Sequence, residues 1–442
     1  MALKALDIFK NLPKTNCKKC GNPTCLAFAM KLAQKKASLD ECPDVSEAGK
    51  AALEGASVPP IHLVTIGSGS NSLKIGNETV MFRHEETFYH PPGIAVCIKD
   101  DADNIEAAVE KVANLKFHRV GTDIKVDVIA ISNTSGDSSK FKAAVEAANS
   151  KNLTIVLMSD STENLAAALE ICAPNKPLIH AANKNNWEAY AKLAKDYKCP
   201  LAVKIDDPEN MAELPAKIKN AGVEDLVLDV TADSFSKTLQ ILTAIRRLSL
   251  KKALPGIGYP CMTFTTGDDP YFSVSQAVTY ISKYSGIVVT ELDEPEHILP
   301  MLTTIMNIFT DPRKPIQVEA KLYEIGAVTE ESPVLVTTNF SLTYYTVEGE
   351  VEASRIPAFI CVIDTEGTSV LTAFAADKLT TDSIAAMLNS SKIADKIKHK
   401  KVIIPGYVAA MSGGLQEDSG WEVLVGPREA SGIPKYLKTV WK

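Results

Sequence analysis

Between about residues 93 and 310, short apolar, β-branched runs recur between longer stretches of helical periodicity. The runs fall at 94–98, 126–131, 154–158, 177–180, 201–205, 225–229, 256–260 and 287–290. A strand buried on both faces reads as such a run, because neither face meets water. The stretches between them, at 104–115, 141–150, 163–172, 187–197 and 233–248, carry helical patterns. Eight strands alternating with helices predict a (β/α)8 barrel. An open doubly wound sheet would produce the same alternation, so the barrel rests on the count of eight.

The flanks read differently. Residues 1–57 predict short helices around a cysteine loop, with residues 26–33 helix-forming and Pro43, Pro59 and Pro60 as punctuation. A run at 61–66, a Gly-Ser-Gly-Ser-Asn turn, and runs at 73–75 and 79–82 predict a small hairpin, acting as a lid or as an entry to the barrel. After the charged, proline-bearing stretch 311–315 the pattern restarts. Strands are expected at 334–338, 358–363, 401–404 and 422–425, with one helix over 370–390. That is a small open α/β domain of flavodoxin or Rossmann type. The fold class is therefore α/β in three parts: a helical cluster domain at 1–57, a barrel at 58–310, and, beyond the linker 311–315, an α/β domain at 316–442.

At 442 residues the chain exceeds one ordinary domain, and 45% hydrophobic with 23% charged residues suits large cores. No apolar run approaches eighteen residues, so no membrane-spanning helix is expected. The start has an early Asp7 and no apolar core segment, so a signal peptide is not expected and the cytoplasm is. A net charge of −7 argues against nucleic acid as a partner. Residues 1–50 run the other way, with nine lysines against five acidic residues, which suits either an acidic redox partner or a plain solvated helix face.

Four of the nine cysteines crowd into the first 42 residues, and Cys97, Cys172, Cys199, Cys261 and Cys361 are scattered singly as small core residues. Crowding of this kind in a cytosolic chain points to metal, not disulfides. The run is Cys17-Lys-Lys-Cys20-Gly-Asn-Pro-Thr-Cys25, and Cys42-Pro43 follows after sixteen residues. The two-residue gap folds two sulfurs to one side, and Gly21 and Pro23 turn the backbone. Three thiolates from one loop and a fourth from beyond a helix favour a [4Fe–4S] cluster; a structural zinc site is the rival.

In an open α/β sheet, ligands bind beyond the carboxyl ends of the strands. Those ends carry Thr337-Thr338-Asn339, the run 364–369, Pro405-Gly406 and Gly426-Pro427-Arg428. Gly, Thr and Ser there permit close approach and hydrogen bonding to amide and phosphate groups. Four such ends together predict a ligand crevice. The helix after Gly367-Thr368-Ser369 would point its first amides at the ligand.

The signature Cys17-x2-Cys20-Gly21-x3-Cys25-x2-Phe28-Ala29, with its distant Cys42-Pro43, resembles the N-terminal module of corrinoid iron–sulfur protein large (gamma) subunits of the acetyl-CoA synthase/CO dehydrogenase pathway. The C-terminal runs 404–409, 412–415, 421–430 and 432–434 look like that family's corrinoid-binding end, and the order of the three parts also matches. The resemblance implies a methyl carrier. Its Co(I) corrinoid would accept a methyl group from a methyltetrahydrofolate-dependent methyltransferase and deliver it to acetyl-CoA synthase/CO dehydrogenase, while the cluster reactivates Co(II). It implies a small-subunit partner in a heterodimer and a ferredoxin-like or activator electron donor. It leaves open whether the chain itself counts as an enzyme. Carried onto this sequence, the corrinoid contacts are Thr337, Thr343, Gly367, Thr368, Ser369, Val370 and Ala430. Thr338, Asn339, Leu371, Pro405, Gly406, Gly426 and Pro427 join them from the strand ends and the adjoining helix, and Thr372 is placed near the cobalt's lower face.

None of the seven histidines follows an Asp by two residues, so the Asp-x-His-x-x-Gly motif that supplies cobalt with an imidazole is missing. At the barrel's strand ends stand Asn133, His180, Asn183, Asp206, Asp207, Asp229 and Glu291. They would suit a methyl-donor site, yet a scaffold role is expected. Two rival readings remain: a self-contained pterin-dependent corrinoid methyltransferase using the barrel, and an iron–sulfur/flavin electron carrier.

Overall fold

A computed structural model describes the chain except residues 1–4, 34–36, 38, 47–48, 51–52, 54–58, 70–71, 120, 206–208, 253, 255, 312–314 and 442. The expected boundary near 57, the end of the Gly-Ser-Gly-Ser-Asn turn, Asp206 and Asp207, and the centre of the 311–315 linker lie outside the described residues. Two compact units result: residues 1–117 with 124–309, and residues 310–442 with 118–123.

The eight expected strands form a closed, all-parallel barrel: β3 (Gly93–Lys99), β6 (Val128–Ser132), β7 (Thr154–Met158), β8 (Leu178–Ala182), β9 (Leu201–Lys204), β10 (Leu226–Asp229), β11 (Cys261–Phe264) and β12 (Ser285–Thr290). Alternation along each strand splits the apolar runs into two cores. Ala95, Val128, Ala130, Val156, Ala202, Val227 and Val289 fill the interior. Val96, Ile129, Ile131, Leu157, Leu201 and Leu228 face the surrounding helices. Asn104, Asp137, Ser161 and Asp269 cap four of those helices by accepting backbone N–H groups.

The seventh strand departs from expectation. It lies at Cys261–Phe264, not 256–260, because Gly256 (φ +89°) turns the chain and Pro260 has no N–H for the ladder. The hairpin β1 (Val64–Ile66) and β2 (Leu73–Ile75) forms as expected but is no lid over a site. Val64, Ile66 and Ile75 join the barrel interior, and Leu73 packs on Gly93, the first residue of β3, where an added Cβ would sit 2.8 Å from its side chain. The hairpin thus plugs the N-terminal mouth, opposite the end where barrels bind ligands. Residues 79–82 make no strand. The Val80 carbonyl there accepts from the Arg246 Nε at 3.0 Å, and the buried guanidinium stacks 4.8 Å from the Tyr284 ring. A further hairpin, β4 (Lys116–Arg119) with β5 (Thr122–Lys125), had no clear apolar signal, since its residues are largely exposed.

The second unit is a five-stranded sheet in the spatial order Leu322–Ile325 (β13), Ala358–Ile363 (β15), Val334–Thr338 (β14), Lys401–Ile404 (β16) and Glu422–Val425 (β17). β14 (Val334–Thr338), β15 (Ala358–Ile363), β16 (Lys401–Ile404) and β17 (Glu422–Val425) are parallel and stand at the expected residues. β13 (Leu322–Ile325) is an antiparallel edge that the sequence reading missed, as it is mostly half-exposed and not apolar throughout. The order of the parallel strands is flavodoxin-like. It reverses between β14 and β16, which makes that gap the topological switch point. The single helix expected over 370–390 is two, α1 (Val370–Ala375) and α2 (Thr381–Ser390). Asp377 at φ +53° ends the first turn region, and Thr380 caps the second helix through a reciprocal bond with Ser383.

Candidate functional site

The cysteine loop is wound by residues in left-handed conformations: Lys14, Asn16, Lys18 and Gly21. Asn16 clamps it, with its side-chain oxygen accepting from the Cys25 N–H at 2.7 Å and its own N–H pointing at the Cys25 Sγ at 3.4 Å. Asn22 Nδ2 lies 3.7 Å from the Cys20 Sγ. Cys25 and Cys42 are buried, Cys20 is half-buried and Cys17 is exposed. Burial raises the Cys42 thiol pKa, and Cys20, Cys17 and Cys25 push it the same way, so all four sulfurs share one neighbourhood. Lys19 binds both Asp44 oxygens at 3.0 Å and so ties the three-cysteine loop to the segment of Cys42. Among the described residues no three His, Cys, Asp or Glu side chains close on one point as around a single ion.

In the second unit a solvent-open crevice of about 250 Å³ lies at the switch point. Its floor is apolar, with Leu335, Val336, Ile403 and Ile404 from β14 and β16. Thr337, Thr343, Val370, Pro405, Gly426, Pro427 and Ala430, all anticipated, also line it. The Thr337 hydroxyl is fully buried and has no hydrogen-bond partner among the described residues, and the same holds for Thr338. Buried polar atoms are rarely left so. Of the two, Thr337 also lines the crevice. Gly406 and Gly426 let the strand ends close: a Cβ on Gly406 would stand 2.5 Å from the Gly426 carbonyl. On the wall Tyr407 donates to Glu429 at 2.6 Å and Leu342 is exposed, and Leu371 and Phe374 of α1 are exposed as well.

A family model described as CO dehydrogenase/acetyl-CoA synthase delta subunit matches residues 63–437, and a short Fe-S cluster model matches residues 12–43. The corrinoid/iron-sulfur protein large subunit of Moorella thermoacetica is 47% identical over 441 residues, 99% of each chain. The chain belongs to the corrinoid/iron–sulfur protein large-subunit family. The gamma subunit of the acetyl-CoA decarbonylase/synthase complex of Methanothermobacter thermautotrophicus is 37% identical over 452 residues, again 99% of each chain. The delta-subunit model begins past the cysteines, whereas these relatives align across them, so the large (gamma) subunit is the better description. A Yersinia pestis dihydropteroate synthase structure is similar at a TM-score of 0.38 and 13% identity, over 49% of this chain and 94% of that one; so slight a likeness decides nothing.

Within this large-subunit family member, other anticipated residues stand beside the crevice and do not line it. Asn339, 3% exposed, is a knot: its Oδ1 accepts from Thr365 N (3.0 Å), Thr365 Oγ1 (3.1 Å) and Gly367 N (2.9 Å), and its Nδ2 donates to Asp364 (2.9 Å) and Gln317 (3.1 Å). It shapes the loop 364–369. Gly367 sits at φ +71° in that loop, and the Thr368 hydroxyl donates to the Thr365 carbonyl at 2.7 Å. Ser369 and Thr372 bond to each other at 3.1 Å across the start of α1, which at six residues is too short to offer a dipole site. Asn339→Ala strands two buried backbone N–H groups, so unfolding of the second unit in denaturant should weaken by about 2–4 kcal/mol. The iron signal should not change. Leu342, Thr346 and Val347, which helical spacing brings to the crevice wall, carried no signal in the sequence, whereas Tyr407 and Ile433 fall in the runs that resemble the corrinoid-binding end without being named as contacts.

In the barrel, Asn133, His180, Asn183 and Asp229 converge on the C-terminal mouth. Glu291 does not join them, being exposed and paired with Lys99 at 3.0 Å.

Proposed function

We propose that this chain is the large subunit of a methyl-carrying corrinoid iron–sulfur protein, organised as cluster head, barrel and corrinoid domain. The observation that carries the reading is the switch-point crevice with the buried, unpartnered Thr337 hydroxyl, in a chain whose head gathers four cysteines. When bound, a corrinoid supplies a nucleophilic cobalt for methyl transfer, and a [4Fe–4S] cluster ligated by Cys17, Cys20, Cys25 and Cys42 supplies the electron that restores it. The residues' part is to hold these groups. The crevice at the switch point is where part of the corrinoid would be held. Thr337 and Thr343 would offer it hydroxyls, Gly406, Gly426 and Pro427 would admit it closely, and loop 364–369 with Leu371 and Thr372 would add the contacts that the family resemblance implies. With no Asp-x-His-x-x-Gly motif, the chain offers the cobalt no imidazole by that route.

The partners under this reading are the small subunit of a cytoplasmic heterodimer, a methyltetrahydrofolate:corrinoid methyltransferase, acetyl-CoA synthase/CO dehydrogenase, and a ferredoxin-like or activator electron donor. No helix among the described residues is long and apolar enough to cross a membrane. Metal analysis of anaerobically purified heterodimer tests the proposal, with about four iron and about one cobalt per large subunit expected. A flavin spectrum without cobalt would refute it. Methyl transfer from methyltetrahydrofolate should require added methyltransferase; brisk turnover without it would make the barrel the catalyst.

A further inference from the structure

The C-terminal mouth of the barrel holds a polar cavity of about 450 Å³ that the carrier reading leaves unused. It opens among the ends of β6 to β10, where barrels of this fold place ligands. Its side chains divide into those already committed and those left free. Asn133 is committed: its Nδ2 donates to Asp100 at 2.7 Å, and its Oδ1 accepts from Ser159 and Asn164, each at 2.8 Å. Asp229, 1% exposed, is committed as well. Its Oδ2 meets His180 Nε2 at 3.0 Å and Lys204 Nζ at 3.1 Å, and its Oδ1 accepts from Thr231 N at 3.0 Å. Burial pushes the Asp229 carboxyl up, but the hydrogen bond and charge of His180 with the charge of Lys204 outweigh this and hold it down at about 2.

Three groups keep unused capacity. The Lys204 ammonium gives two of its three N–H bonds to Asp229 and to the Thr231 carbonyl at 3.0 Å, and the side chain is 32% exposed. Asn183 accepts from Asn185 N at 2.8 Å through Oδ1, while its NH2 has no partner among the described residues. His180 spends Nε2 on Asp229, and its Nδ1 has no partner among the described residues. A buried carboxylate that pairs with one ring nitrogen of a histidine orients the ring and so aims the other nitrogen. A cationic donor, an amide donor and an oriented imidazole on one polar cavity match an oxyanion whose carrier reaches the ring. Asp160, exposed on the same cavity, can take an N–H or O–H of that carrier.

We propose that the barrel mouth binds a small molecule bearing a carboxylate or phosphate, its oxyanion held by Lys204 and Asn183 and its remainder facing His180. The site is separate from the corrinoid crevice and does not depend on the carrier reading. Equilibrium dialysis of the anaerobically purified heterodimer against radiolabelled inorganic phosphate, and separately against malonate, tests it and tells the two oxyanions apart. One of them should bind saturably at about one site per large subunit, and Lys204→Met should weaken that binding at least tenfold. Lys204→Met also removes the ion pair of buried Asp229 and can fail to fold. Asn183→Asp is the second variant: it keeps the acceptor for Asn185 N, places a negative charge against the oxyanion, and should also weaken binding at least tenfold. Absence of saturable binding for both anions, or binding that survives Asn183→Asp unchanged, overturns the proposal.

Discussion

Replacing Ala430 by tryptophan is expected to strip the protein of cobalt while leaving its iron in place. Ala430 is half-buried on the crevice wall, so an indole there has a path into the cavity that the ligand would fill. The cost to folding is modest, of order 1–3 kcal/mol for overpacking at worst, because the residue borders solvent. The cost to binding is steric exclusion, and cobalt per chain should fall to less than a tenth of the wild-type value, each tenfold loss of affinity costing about 1.4 kcal/mol. Metal analysis with the visible spectrum reads both effects. Thr337→Val sharpens the test. It keeps the shape and removes a hydroxyl that has no internal partner, so stability should hold or rise while cobalt retention under dialysis drops. Full cobalt retention by Ala430→Trp would place the corrinoid elsewhere.

Cys20→Ala should have the opposite profile. Removal of one of four thiolates leaves a cluster with an open iron position, so the low-potential electron paramagnetic resonance signal should vanish. Reactivation of Co(II) should stop with it, measured as loss of the reductive spectral change. The corrinoid should stay bound. Cys20 packs within a small core of its own, with Ile8, Phe28 and Leu32, and the crevice is built on a different core in the other compact unit. Cofactor sites resting on separate cores fail separately. Loss of cobalt from Cys20→Ala would show that the two ends depend on one another.

Most of the regular structure was legible from the sequence. β7 and the four parallel strands of the second unit stand at the expected residues, because each is a continuous apolar run with turn residues at its ends. The errors have physical causes. Residues 256–260 looked apolar enough for a strand, but a left-handed glycine and a proline cannot keep a ladder. β13 escaped notice because an edge strand needs only one buried side. The break between α1 and α2 was written as Thr380-Thr381-Asp382-Ser383, a capping signal concealed inside a stretch of uniform helical propensity. At the site, Thr337, Val370 and Ala430 line the crevice, while Asn339 turned out to be the knot that shapes its loop. A saturated amide and a ligand-facing one have the same letter in the sequence, and only their partners separate them.

The sequence by itself determined the crowding of four cysteines at the head, the eight-strand count and the turn-rich strand ends, because each is a matter of spacing between near neighbours along the chain. The tertiary structure alone decided which mouth of the barrel the hairpin seals, which threonine hydroxyls are left without a partner among the described residues, and which polar groups at the barrel mouth stay free. Those outcomes depend on contacts between residues far apart in the chain, such as Asn133 with Asn164 or His180 with Asp229. No local pattern encodes whether such a distant partner arrives.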